Sequence, residues 1–188
     1  MLILAAGFAL WCAGHFLPSA LPGVRERLIE AIGEGPYKGA FSLDAVLAIV
    51  LMVVGYQAAG FEPVYDPPAW GVHLNNLLML VALWFFVVGG AKAWVATKIR
   101  HPMLTGVSLW ALSHLVVNGD ESSILLFGGM LLWSLGMMWM INRRTGAWTP
   151  PRWGGWAAEA KAALIALGVF AVVVFAHGWL FGVSPFPM

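Results

Sequence analysis

Six apolar runs alternate with short polar stretches along the chain, at about 1–20, 41–60, 69–91, 102–118, 123–142 and 160–183. Most approach the roughly 20 residues that carry a helix across a hydrocarbon core. The first connection contains GVRERLIEAIGEG, with Val24, Leu28, Ile29 and Ile32 apolar at helical spacing. That pattern predicts a short amphipathic helix lying on the membrane surface. Pro102 suits the first turn of a helix, where its missing N–H costs nothing. Asn118-Gly119-Asp120 predicts the turn between the fourth and fifth runs, with Gly119 supplying a left-handed backbone. Gly128, Gly129 and Gly136 predict close helix packing within the fifth run. The connections are too short to hold a second domain. The pattern therefore predicts an all-α integral membrane bundle of about six transmembrane helices, with residues 1–188 as one domain.

Composition sharpens this picture. Of 188 residues, 61% are apolar and only 10% are charged, where a soluble chain carries about 25% charged residues. The net charge of +1 comes without a basic run, so no nucleic-acid partner is expected. Membrane lipid is the expected surrounding, and a lipophilic small molecule is a possible partner. No feature of the chain names a partner protein. The single cysteine, Cys12, excludes an intrachain disulfide. The first apolar run has no Lys or Arg ahead of it, so it reads as a retained span rather than a cleaved signal peptide.

The ten basic residues then orient the bundle. Arg25, Arg27 and Lys38 lie in the first connection or just past it, Lys92, Lys98 and Arg100 in the third, and Arg143, Arg144, Arg152 and Lys161 around the fifth. The even connections carry Glu62, Asp66, Asp120 and Glu121 instead. The positive-inside rule then places both termini away from the cytoplasm. Trp94, Trp148, Trp153 and Trp156 on one side, with Trp70 and Trp179 on the other, fit interfacial belts.

Ionisable groups inside spans are functional candidates by default. His15, His73, His101, His114 and His177 form that set, with Asp44 at the start of the second run as a cap or a partner for a base. His73 and His177 near the outer ends read as interfacial. His101, next to Arg100 and ahead of Pro102, reads either as a polar neighbour of a helix start or as part of an anion site. His114 is buried in sequence among apolar neighbours, and its N–H needs a partner; Asn118 shares its face at i+4. It reads as a packing histidine or as a ligand of a metal or haem. No CxxCH occurs, so covalent c-type haem is excluded. Counted along the helices from the outer ends, His15 lies about 21 Å deep and His114 about 7 Å. On depth alone, His73, His114 and His177 make the tighter cluster.

Several motifs together carry a resemblance. They are His15-Phe16-Leu17-Pro18-Ser19, Arg25, Ile32-Gly33-Glu34 and Tyr37-Lys38-Gly39-Ala40-Phe41-Ser42-Leu43. Further along come Arg100-His101-Pro102-Met103-Leu104-x-Gly106, Leu109-Trp110-Ala111-x-x-His114-Leu115 and Asn118-Gly119-Asp120. On these the chain resembles the NnrU family of bacterial membrane proteins, over most of its length. The resemblance implies a bacterial inner-membrane protein linked to denitrification and nitric oxide metabolism. That family is similar in turn to the plant 15-cis-ζ-carotene isomerases, which hold b-type haem through histidine. Carried over by motif, this implies haem b with His15 and His114 as axial metal ligands, and isomerisation of a lipophilic polyene as an activity. Arg100 and His101 would anchor a carboxylate or phosphate of the cofactor. The isomerases read Trp-Cys-x-x-His where this chain has Trp110-Ala111-Leu112-Ser113-His114, so an exchange of thiolate for histidine is not implied here.

Two alternatives stand beside the haem reading. One is a non-enzymatic membrane assembly or partner protein with structural histidines. The other follows from Arg100-His101-Pro102-x-x-x-Gly106, which looks like the RHPxYxG segment that helps membrane methyltransferases bind S-adenosylmethionine. Leu104 replaces the Tyr of that segment, and INRRTGAWTPPRW at 141–153 lacks its acidic partner motif.

Overall fold

In the computed structural model, which describes residues 1–186, the chain is helical throughout, with no strand among the described residues. The helices are α1 (Leu2–Ala20), α2 (Pro22–Ile32), α3 (Glu34–Ala58), α4 (Gly71–Ala91), α5 (Pro102–Val117), α6 (Glu121–Thr145) and α7 (Trp156–Phe181). A short 3₁₀ turn, Trp94–Thr97, joins α4 to α5. Five of them, α1, α3, α4, α6 and α7, are long and apolar enough to cross a membrane. Apolar α5 has 16 residues, about 24 Å of helix. The chain is thus a multi-pass, all-α membrane bundle.

The six apolar runs become these six helices, and the amphipathic stretch becomes α2. Its Val24, Leu28 and Ile32 are exposed in the protein alone, as a helix resting its apolar side on lipid would require. The largest boundary difference is at α3, which starts seven residues earlier than its apolar run. Gly33, with φ of 86°, ends α2, and Glu34 to Lys38 already coil, joined by a Glu34–Lys38 ion pair of 2.8 Å. Apolarity marks where a helix is in oil; the backbone can begin to coil before that point.

The helices alternate in direction and pack side by side in the order α3, α1, α6, α5, α4, α7. A hydrogen bond from Gln57 Nε2 to the Leu180 carbonyl (2.9 Å) joins α3 to α7. All ten basic residues gather towards one end of the bundle, and the acidic even connections sit at the other. These are called the basic and acidic ends below.

Close approach is built with small residues. A Cβ on Gly7 would stand 2.7 Å from the Met52 amide nitrogen, and one on Gly106 would stand 2.9 Å from the Ala82 carbonyl oxygen. Gly7 and Gly14 on α1 repeat at the same seven-residue interval as Ala48 and Gly55 on α3. Such spacing lets two backbones meet along a left-handed crossing. The main core holds Val107, Ala111, Phe127, Met130, Trp133 and Met137, and a second holds Phe85, Val88, Ala93 and Ala162. Outward faces are apolar too, with Phe175 93% exposed. A lipid surround accounts for that surface.

Candidate functional site

His114 lies one turn before the end of α5. Its Nδ1 is 2.9 Å from the Trp110 carbonyl oxygen, one turn back. A carbonyl can only accept, so the proton is on Nδ1 and the Nε2 lone pair is the free one. Among the described residues, Nε2 has no hydrogen-bond partner. The ring stacks on Phe127 (4.5 Å, 24°), with Trp110 at 5.3 Å. Asn118 does not serve the ring; its Nδ2 donates to the His114 carbonyl at 2.9 Å.

Phe127 is presented by a π-helical segment, Ile124–Gly128, inside α6. One wide turn of this kind inserts an extra residue and rotates the side chains beyond it, a device common at functional sites.

His15 on α1 repeats the same local geometry. Its Nδ1 is 2.9 Å from the Trp11 carbonyl oxygen, which again leaves Nε2 as the free acceptor. The ring stacks on Trp11 (3.9 Å, 26°) and meets the edges of Phe41 (5.1 Å) and Trp133 (5.3 Å). Metal-bound histidines characteristically donate their second nitrogen to a backbone carbonyl in this way.

The two imidazoles do not meet. His114 packs on Phe127 and His15 on Trp133, positions six residues and about 9 Å apart along α6. Counted from the acidic end, His114 is about 4.5 Å from the close of α5 and His15 about 20 Å from the start of α1. The two rings therefore stand at different depths in the bundle. His177, about 6 Å from the end of α7, lies at a depth close to that of His114. Its Nδ1 is likewise taken, by the Val183 carbonyl at 2.8 Å. His73 lies exposed at the start of α4. No group of three or more His, Cys, Asp or Glu converges as a metal site among the described residues.

Arg100 and His101 sit at the basic end, where they fasten α5 to the end of α6. Arg100 Nη1 donates to the Gly146 carbonyl (2.7 Å), and Nη2 donates to Thr145 Oγ1. His101 Nε2 pairs with Asn142 Oδ1 at 2.9 Å. Arg100 thereby satisfies the Gly146 carbonyl just past the helix C-terminus and complements the helix dipole. Both residues also line a cleft of about 320 Å³ with Phe86, Gly89, Gly90 and Pro102. Gly106 fits against α4, so this motif secures the fold as well as facing a cleft. Arg100→Lys keeps the charge and loses the fork. It is expected to cost about 1 kcal/mol, or about 2–4 °C in the thermal midpoint in detergent.

At the acidic end, the Asn118-Gly119-Asp120 turn is clasped by the segment after α3. Val64 and Tyr65 amides donate to the Gly119 carbonyl (2.7 and 3.0 Å), and the Tyr65 hydroxyl shares its one proton between the Leu115 and Asn118 carbonyls. Gly119 is not left-handed; it is small because the Tyr65 carbonyl lies against its Cα.

Sequence reasoning passed over Trp11 and Trp133 and read Asp44 as a cap or a partner for a base. Asp44 neither caps α3 nor pairs with a base; its Oδ2 is buried against Gly14 without a partner. The indole nitrogens of Trp11 and Trp133 are also buried and unpartnered. The available signal was an acid at position 44 beyond the polar stretch, and an indole four residues before His15.

No curated protein and no solved structure matches the chain. A family model described as NnrU protein matches residues 3–185, nearly the whole length. With its apolar helical bundle and the motif residues placed as above, the chain belongs to the NnrU family.

Proposed function

We propose that this NnrU-family protein binds b-type haem through His114, near the acidic end of the bundle, and works in nitric-oxide-linked metabolism or on a lipophilic polyene. The observation that carries this reading is the fixed tautomer of His114, whose Nε2 lone pair has no protein partner. Trp110 contributes the carbonyl that orients the ring, and Phe127 and Trp110 hold the imidazole from its sides. His177, at a similar depth and with the same tautomer, is the candidate for a second ligand. Haem, when bound, supplies a redox-active iron whose reactivity follows its axial ligand and the polarity around it. The chain's part is to orient one imidazole, exclude water and present an apolar surround.

In this reading the protein sits in a bacterial inner membrane with both termini outside the cytoplasm, supported by the ten basic residues at one end. Protein expressed with ample haem and purified in mild detergent is expected to show a Soret band. His114→Ala is expected to lower haem occupancy by at least about tenfold, while His15→Ala leaves it near the wild-type level. A colourless wild-type protein overturns the proposal and leaves the assembly-partner reading.

A further inference from the structure

Four side-chain nitrogen or oxygen atoms are buried without a partner among the described residues, and three of them gather around one turn of α1. Trp11 Nε1 is on that turn. Trp133 Nε1 belongs to a ring 5.3 Å from both Trp11 and His15, in a residue only 6% exposed. Asp44 Oδ2 lies against Gly14, the residue before His15, and Phe41 one turn earlier on α3 touches the His15 ring. Beside these three, His15 Nε2 keeps a free lone pair, since Nδ1 is committed to the Trp11 carbonyl. No Lys or Arg pairs with Asp44 among the described residues.

In a hydrocarbon environment each such orphan is costly, by roughly 1–7 kcal/mol depending on the reference state. Native proteins seldom leave them unfilled. The inventory at this turn is specific: two N–H donors, from Trp11 and Trp133, and two acceptors, Asp44 Oδ2 and His15 Nε2. Their complement is a group that accepts twice and donates, which is the chemistry of a hydroxyl oxygen. An anion would meet the Asp44 carboxylate, and a cation would meet two indole donors. Neither fits. The rings stack at contact distance, so the occupant is small. The turn lies about 7.5 Å from the basic end of α1, within reach of interfacial water, while the apolar core of Val107, Ala111 and Phe127 separates it from the acidic end.

We infer that Trp11, His15, Asp44 and Trp133 form a binding site for a neutral hydroxyl group, supplied by water or by the head of a lipophilic alcohol. The site is separate from the His114 end and does not depend on haem there. A resident hydroxyl satisfies both indoles at once and joins α1, α3 and α6 across the bundle interior, as ordered waters do for buried polar groups elsewhere.

The test uses the full chain labelled with ¹⁵N-tryptophan, in perdeuterated detergent. The Trp11 and Trp133 indole resonances are identified from Trp11→Phe and Trp133→Phe. Cross-relaxation from both indole N–H protons to the water resonance is expected, and identifies water as the occupant. With farnesol added, cross-peaks at its hydroxymethyl protons instead identify an alcohol. Asp44→Leu is expected to abolish these cross-peaks at both indoles. Asp44→Asn, which keeps an acceptor and the side-chain volume, is expected to retain them and covers the case in which Asp44→Leu fails to fold. Indoles without cross-peaks to either hydroxyl in the wild-type protein overturn the inference. So does a cross-peak at one indole alone, because the site requires both.

Discussion

Replacing Gly55 by leucine is expected to separate α1 from α3 and to leave little folded protein. Even the first carbon of a side chain at position 55 would stand 2.6 Å from Leu4 Cα and 2.8 Å from the Ile3 carbonyl carbon, with the Leu4 amide nitrogen closer still. These are backbone atoms in the opening turns of α1, so no rotamer change relieves the clash. The helices must move apart instead. That movement opens the contacts at Gly7 against Met52 and exposes Leu4 and Ala48, both fully buried now. Overpacking of this kind costs about 1–3 kcal/mol per excess group and more where backbone blocks relaxation. Gly55→Ala is accordingly expected to cost about 1–3 kcal/mol, and Gly55→Leu to exceed that. Thermal unfolding in detergent measures both. Gly39→Ala in the same helix meets nothing within 4 Å, and is expected to be neutral or to stabilise by about 0.5–1 kcal/mol. If Gly55→Leu melts near the wild-type temperature, α1 and α3 do not pack as described.

Asp120 carries the second large effect. It is 6% exposed and caps α6: Oδ1 accepts from Ser122 Oγ (2.5 Å) and the Ser123 amide (3.0 Å), and Oδ2 accepts from Ser123 Oγ (2.6 Å). Ser123 Oγ in turn meets the Tyr56 hydroxyl at 2.8 Å, which ties the cap to α3. Asp120→Ala removes the cap, strands the buried Ser122 hydroxyl and leaves Ser123 Oγ with Tyr56 alone. The expected cost is about 2–4 kcal/mol, from a lost N-cap and unpaired donors. Burial pushes the Asp120 carboxyl up, but the hydrogen bonds from Ser122 and Ser123 outweigh it and hold it below the usual carboxylate range. A carboxyl lower in the folded state than in the unfolded one stabilises above the unfolded value, near about 3.9, and that contribution fades as pH falls through the folded value. Wild-type protein should therefore lose its advantage over Asp120→Asn as melts are moved from neutral pH to below about pH 4. An advantage that stays constant with pH would show that the carboxylate is not the capping species.

These two residues also mark what the chain disclosed in advance. The helices were legible because oil demands long apolar runs, and six runs became six helices with small boundary changes. The hinge at Asn118-Gly119-Asp120 was legible as a turn. Its internal chemistry was not, because a capping aspartate and a solvated one have the same neighbours in sequence. Gly119 is a similar case: composition suggests a left-handed backbone, whereas the cause is the Tyr65 carbonyl, 54 positions away. His15 and His114 each adopt the same tautomer, which no spacing rule encodes. Their different depths followed from counting residues along each helix. The orphaned indoles and Asp44 were hidden for another reason, since a missing partner is visible only once every neighbour has been placed. The wide turn at Ile124–Gly128 shifts helical phase by one residue inside an unbroken apolar run, and hydrophobicity does not register phase there.

The attachment of α7 bears on how the protein is made. This last helix rests principally on α4, through the smaller of the two cores, whereas α1, α3, α5 and α6 close the larger core among themselves. Everything that surrounds His15 has therefore been synthesised before residue 156 leaves the ribosome. The main body can settle in the bilayer while translation continues, and α7 docks afterwards as a late brace.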